Sequence, residues 1–454
     1  MAAVVSSQGE WRNWSGSQRA MPGRWWRPGS EDQLVALLQS SSGEVRVTGA
    51  GHSFSALCKT AGNLVSLEHL NGLVSHNAER LTATAMAGTP LHELGSLLWP
   101  LGQGLINQGD IDAQSLAGAC GTSTHGTGLG LGSFSALVRG LRLVTPSGEV
   151  IDADSSHNAD ILQAGATSLG ALGVITRITL QNRSSYHLAE REYLLPLTEV
   201  LSCFEGLAQD NRHAEFWAFF RTDRAVVKVL NESTEPPTAK PRFNLPVDRV
   251  LDITSRIAHG VAGADALMQR LLTALHSEVR RVGRSYQIFP SPRASRFNEM
   301  EYELPLARGL ECVEEVLATV KRSSLRTLFP LEYRTVAADE AWLSPFYGRD
   351  SASISIHQHV CTDYRPLFNL VEPIFWKYGG RPHWGKLHSL DAVRLAELYP
   401  RWDDARRVRE RLDPQGRMLN AHLRKLLVLP GVRMMPISAG FRLRCRRRVS
   451  CCRG

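Results

Sequence analysis

The segment "GDIDAQSLAGACGTSTHGTGLGLGSFS", residues 109–135, constrains the fold more than any other stretch. Its glycines and small polar residues cannot sustain a long helix or a packed strand. Nor is it composed like a free linker, because apolar Leu116, Ala117 and Ala119 are interleaved with the glycines. A backbone stripped of side chains over such a length suits close wrapping around a large, flat, polar ligand. Two more segments share this character. In "VRVTGAGHSFS", residues 45–55, a strand pattern runs into a turn holding Gly49 and Gly51, with His52 in its middle. Phe54 stands where G-x-G-x-x-G needs its third glycine, and the Lys-Ser/Thr of a phosphate-binding P-loop is missing, so neither fingerprint applies. What remains is a turn whose backbone N–H groups converge on an anion, with Ser53 and Ser55 as added donors. In "ATSLGALGVITRITL", small residues precede a β-branched strand. Three such loops in one domain point to a dinucleotide held extended.

The chain has 454 residues, too many for one ordinary core, so two domains are expected. The net charge of +8 suggests a nucleic-acid partner until its location is considered: six arginines lie between Phe441 and Gly454, and without them the charge is +2. No nucleic acid is expected, and the basic tail reads as a solvated, disordered end. No window approaches the roughly 18 unbroken apolar residues of a membrane span. The N-terminus lacks a basic region followed by an apolar one, which makes the cytoplasm the expected location. Eight cysteines without C-x-x-C spacing fit buried free thiols in a reducing compartment.

Residues 10–182 alternate short strands and helices, without the regular rhythm of a parallel α/β sheet, and the fold class is α+β. Ser30 is placed to cap a helix in "PGSEDQLVALLQS", and Thr89 to cap another before Pro90 at its first position. "LRLVTPSGEVIDA" reads as a hairpin with a Ser-Gly turn. Residues 183–427 carry longer β-rich runs such as "AEFWAFFR" and "SASISIHQHV", and 428–454 form the tail.

In "PLEYRTV" strand alternation puts Glu332 and Arg334 on one face. Such a pair suits a polyhydroxylated ligand, although an arbitrary E-x-R on a strand reads first as a surface ion pair. In "SISIHQHV", His357 and His359 share a face, but no third ligand stands at a diagnostic spacing, so no metal is expected.

The ordered set "VTGAGHSFS", "GDIDAQSLAGACGTSTHGTG", "SLGALGVIT", "LEYRTVAADEAWLSPFYGRDS", "HWGK" and "DPQGRMLN" resembles the vanillyl-alcohol-oxidase-type FAD-linked oxidases over residues 10–427. Within them it is most similar to the aldonolactone oxidases (D-arabinono- and L-gulono-1,4-lactone) and the related alditol oxidases. The resemblance implies an FAD-binding domain of the PCMH type and a cap domain with a large antiparallel sheet. The pyrophosphate loop would be Thr48, Gly49, Ala50, Gly51, His52 and Ser53, with FAD attached covalently through His52. Further cofactor contacts would come from Gly118, Ala119, Thr122, Thr124, His125, Gly126 and Gly128, and from Ser168, Gly173, Val174 and Ile175. Glu332 would orient substrate hydroxyls and His357 would polarise or deprotonate the reacting one. Arg334 and Lys386 would steady negative charge; His359 would be structural, and His383 a packing or hydrogen-bonding residue. The implied reaction is oxidation of a sugar-derived alcohol by hydride transfer to flavin N5, with electrons passed to O2 or another acceptor. The alternatives are an alditol oxidase, a metal-dependent hydrolase using His357, His359 and His383, or a non-catalytic flavin protein.

Overall fold

The computed structural model describes residues 9–238, 252–253, 255–256, 263–291 and 295–431. The basic tail beyond Gly431 and most of the proline-rich stretch "ESTEPPTAKPRFNLP" lie outside the described residues.

The first domain is built on two main sheets. Strands β1 (Arg24–Trp26), β2 (Val45–Thr48) and β3 (Asn63–Ser66) pair in parallel, in the order β1-β3-β2. Helix α1 (Glu31–Ser40) connects β1 to β2, and the Ser30 hydroxyl caps it by accepting from the Gln33 amide at 3.2 Å. Strands β4 (Leu73–Asn77), β5 (Thr82–Met86), β6 (Val138–Val144), β7 (Val150–Asp154) and β8 (Val174–Gln181) form an antiparallel sheet in the order β7-β6-β8-β5-β4. The β6–β7 hairpin turns at Gly148, whose φ of +88° needs glycine. Thr89 does not cap the next helix, α2 (Leu91–Leu98): its hydroxyl donates to the Met86 carbonyl at 2.7 Å, and Pro90 holds the cap position. A turn that already satisfies the hydroxyl locally outcompetes capping.

The cap is an eight-stranded antiparallel sheet. Its strands are β9 (His187–Pro196), β10 (His213–Ala218), β11 (Arg224–Glu232), β12 (Val279–Arg284), β13 (Phe297–Pro305), β14 (Leu331–Val336), β15 (Ser351–His359) and β16 (Arg381–Pro382). They run in the order β12-β9-β11-β10-β14-β15-β13-β16. One face presents Phe216, Tyr333, Ile354 and Met300 to the helices α3 (Leu197–Asp210), α4 (Gly309–Arg322) and α5 (Arg365–Lys377), closing the larger core. The other face is charged and nevertheless buried: Glu299, Glu301 and Glu303 on β13, Glu332 and Arg334 on β14, His357 on β15, Glu215 on β10 and Lys228 on β11. An antiparallel sheet ordinarily gives such a face to water. Here it is turned against the first domain.

The seam is held by main-chain and side-chain bonds. Gly128 N–H donates to the Thr335 carbonyl at 2.8 Å, and the Thr127 hydroxyl to the Ala214 carbonyl at 2.6 Å. The C-terminal run returns to the first domain: Asn420 caps the helix Ala421–Leu427 and also donates to the Ala56 carbonyl at 2.9 Å. Arg46, almost wholly buried, donates to the carbonyls of Leu57, Leu169, Gly170 and Met418, tying distant segments together. No helix of the described residues is long and apolar enough to cross a membrane. Of the free cysteines among those residues, Cys120 and Cys312 are buried, Cys58 and Cys203 partly so, and Cys361 is exposed, contrary to the expectation of buried thiols throughout.

Candidate active site

A cavity of about 400 Å³ lies where the three glycine-rich loops meet. The first loop gives it Thr48, Gly49, Ala50, Gly51, His52 and Ser53; the second gives Ser115, Gly118 and Thr122; the third gives Ser168, Gly173 and Ile175. The loops approach one another too closely for side chains at key points. A Cβ on Gly49 would sit 2.2 Å from Ser115 Oγ, and one on Gly173 would sit 2.6 Å from the Val144 carbonyl oxygen.

Local geometry decides which residues of each loop face the cavity. Leu116–Gly121 is a short helix, so Gly118 and Gly121 face the cavity while Leu116, Ala119 and Cys120 enter the core. Strand alternation in β8 likewise sends Val174 into the core. Ala119 and Val174 therefore do not line the cavity as the sequence suggested. Neither do Thr124, His125, Gly126 and Gly128. Past Ser123, held at a φ of +56°, the chain leaves the cavity and becomes the seam against the cap. Thr124 accepts from Gln114 Nε2 at 3.1 Å. A Cβ on Gly126 would meet the Gln108 carbonyl oxygen at 2.1 Å, and one on Gly128 the Arg212 carbonyl oxygen at 2.7 Å, so both glycines serve close packing at the seam.

His52 sits at the cap end of the cavity, its ring stacked on Trp14 with centroids 5.6 Å apart. Nε2 is buried and has no hydrogen-bond partner among the described residues. Burial, reinforced by the nearby Lys386 ammonium, lowers its pKa to about 4, so the imidazole is neutral at physiological pH. The same loop is bonded to the turn that carries Lys386: Phe54 N–H donates to the Gly385 carbonyl at 2.7 Å, and Ser55 Oγ to the Trp384 carbonyl at 2.9 Å.

Beyond that contact lies the charged face. Lys386 Nζ is 2.5 Å from Glu299 and 3.1 Å from Glu301. Burial opposes the lysine's charge, but the two carboxylates more than restore it and its pKa is raised. Burial also opposes ionisation of Glu299, yet Lys386 and His357 outweigh it and hold the carboxyl at about 2. Glu301 also binds His125, whose Nε2 is 2.9 Å away. Glu303 is fully buried, neither of its carboxyl oxygens has a hydrogen-bond partner among the described residues, and burial pushes its pKa up to about 8. His383 is buried and neutral; its Nδ1 accepts from the Gly385 amide at 3.0 Å, and burial lowers its pKa to about 3.

Glu332 and Arg334 do share a face, 2.5 Å apart, and are buried. Arg334 also meets Glu215 and Asp110, each at 2.6 Å. Burial raises the pKa of Glu332, and Arg334 only partly offsets this because Glu215 and Asp110 push it back up. The ring of His357 has Nδ1 3.4 Å from the Pro330 carbonyl and Nε2 3.3 Å from Glu299 and 3.9 Å from Glu332. Both nitrogens face acceptors, so this ring is placed to donate hydrogen bonds. His359 is bonded to Asp252 at 3.0 Å and does not join His357 in a site.

Among the described residues, three buried groups have the spacing of metal ligands: His125, Glu301 and His383; Glu299, Glu332 and His357; Asp110, Glu215 and Glu332. In each, a lysine or arginine nitrogen already lies within 3.1 Å of a carboxylate oxygen. The sequence reading missed Asp110, Glu215, Lys228 and the Glu299–Glu301–Glu303 ladder. The ladder's signal, "NEMEYEL", is an acid at every second residue, which looks the same as a solvated strand face.

The fold and cavity define an FAD-dependent oxidoreductase with a flavin-binding domain and a cap, and residues 22–154 match the family described as FAD binding domain. The backbone cradle, the hydroxyl donors and the unpartnered His52 nitrogen all fit that cofactor. Residues 178–426 match the D-arabinono-1,4-lactone oxidase family, and the chain belongs to it. It is 36% identical to L-gulono-1,4-lactone dehydrogenase from Mycobacterium tuberculosis, over 92% of this chain and 99% of that one. It is 29% identical to L-gulonolactone oxidase from Scyliorhinus torazame, covering 92% and 98% of the two chains. With alditol oxidase from a Streptomyces species it shares 27% identity, over 91% and 98%. Among solved structures, cholesterol oxidase from B. sterolicum has the same fold, with a TM-score of 0.80 at 18% identity and coverage of 92% and 97%.

Proposed function

We propose that the chain oxidises a hydroxyl-bearing carbon of an aldono-1,4-lactone of the D-arabinono or L-gulono type, with FAD linked covalently to His52. The observation that carries this reading is the buried charged face of the cap at the His52 end of the cavity. Past that end of the cavity, Glu332, Glu299 and Lys386 offer acceptors for several hydroxyls and one fixed cation, as a compact polyhydroxylated substrate requires. Bound FAD supplies the two-electron acceptor for the C–H bond. Glu332, whose carboxyl is held above its usual range, accepts the hydroxyl proton; His357, with both nitrogens committed to acceptors, holds Glu332 and Glu299 in place. Lys386 steadies negative charge as the C–H bond breaks. Neutral His52 has a nucleophilic nitrogen inside the cavity, which supports a covalent bond to the cofactor.

The purified yellow protein, denatured in acid, should retain its colour in the pellet; colour released to the supernatant sinks the His52 bond. Anaerobic addition of L-gulono- or D-arabinono-1,4-lactone should bleach the protein. Bleaching by xylitol or sorbitol alone would overturn the lactone reading in favour of an alditol. Reoxidation in air, compared with an artificial electron acceptor, then distinguishes O2 from another acceptor.

A further inference from the structure

Asp110 belongs to the flavin loop, yet its carboxylate is spent on the cap. Oδ2 is 2.6 Å from Arg334 Nη2 and Oδ1 is 3.4 Å from Lys228 Nζ. Lys228 lies 3.0 Å from Glu215, which lies 2.6 Å from Arg334 Nε. The four side chains close a ring of alternating charge, each nine-tenths buried or nearly so. Two acids balance two bases within it. Glu332 is the extra acid, bonded from outside through Arg334. Three residues on from Asp110, the same loop begins to line the cavity at Ala113, Gln114 and Ser115.

We propose that Asp110 is a positioning residue that fixes Arg334 against Glu332 and so ties the flavin loop to the substrate carboxylate. The inference rests on the lactone-oxidising reading above. In it Arg334 is a clamp on Glu332, not a free fork for substrate. Removing one partner of a buried charge-paired group leaves the other uncompensated, so the ring's members act together.

Glu332 is faced by Arg334 on its own strand, Asp110 on the flavin loop, Glu215 on β10, His357 and Ser355 on β15, and Glu299 on β13, while Lys228 on β11 reaches it through Asp110 and Glu215. Loss of the Asp110 charge leaves more of the Arg334 charge to Glu332, making Glu332 easier to ionise. Loss of the Lys228 charge does the opposite. The test uses full-length holoprotein and the kcat/KM–pH profile with the lactone that bleaches it. Asp110→Asn should keep the flavin and its spectrum, lower kcat/KM about tenfold or more, and move the acidic limb to lower pH by about one unit. Lys228→Met should move that limb to higher pH, and Asp110→Glu should restore most of the wild-type profile. An Asp110→Asn enzyme whose limb does not move, or moves upward, overturns the proposal, as does a Lys228→Met shift in the same direction as Asp110→Asn. If Lys228→Met does not fold, the Asp110 pair decides alone. Failure of the wild-type protein to bleach with any lactone would instead refute the functional reading.

Discussion

Lys386 shows how much chemistry one side chain takes from its neighbours. Alone it is a lysine after a glycine; in the fold it lies between Glu299 and Glu301, with its ammonium 5.4 Å from the Phe54 ring centre. Lys386→Ala should leave flavin bound but slow its anaerobic reduction by lactone about a hundredfold, the cost of removing one preorganised charge-stabilising group. Reduction at the wild-type rate in a stopped-flow trace would remove Lys386 from the mechanism. Lys386 and His52 could be singled out from sequence because each sits in a short, distinctive motif, and the fold bonds the two loops that carry them. Glu299, Glu301 and Glu303 were not legible, because burial of an acid is decided by what packs over the strand. Nothing in "NEMEYEL" says that another domain will cover it.

At the level of elements, the eight-stranded sheet solves two problems with one alternation. Odd positions of β13 carry acids towards the site, and even positions carry Met300, Tyr302 and Leu304 into the helices. The same period puts Phe216 on β10 under Tyr333 of β14, with rings 4.9 Å apart and nearly parallel at 14°. Phe216→Ala should cost about 3–5 kcal/mol. It should lower the denaturation midpoint while the remaining folded fraction keeps its flavin reducible; an unchanged midpoint would show that this core layer does not bear on stability. Strand positions were legible here, as were the Ser30 cap and the Ser-Gly hairpin. The start of α2 was not, since Thr89 found a nearer acceptor. Nor was the helical phase of Leu116–Gly121, which separates Gly118 from Ala119 by a rotation that a glycine-rich string does not announce.

Across the whole molecule, burial keeps several histidines neutral. His213, His383 and His388 are held at about 3, and His52 and His422 at about 4, in each case chiefly by burial. Unfolded, each would titrate near 6.5. A base whose folded pKa lies below its unfolded one costs no stability above pH 6.5. The loss begins as pH falls through that value and is complete only below the folded pKa. Stability should therefore fall steadily from about pH 6.5 towards pH 4, by several kcal/mol in total. Urea unfolding across that range checks it, and a flat profile would contradict these burials. His388, which lacks a hydrogen-bond partner at either nitrogen among the described residues, is the substitution of choice: His388→Phe should flatten part of the decline.

The amide of Phe54, bonded to the carbonyl of Gly385, has a consequence for traffic through the enzyme. With that link, the Gly128–Thr335 main-chain bond and the Asp110–Arg334 pair all crossing the same seam, the cap cannot swing like a jaw without breaking buried contacts at several points. Opening the cap would give up all three links together, so the cost of admitting a substrate by that motion is set by the seam and not by a single hinge.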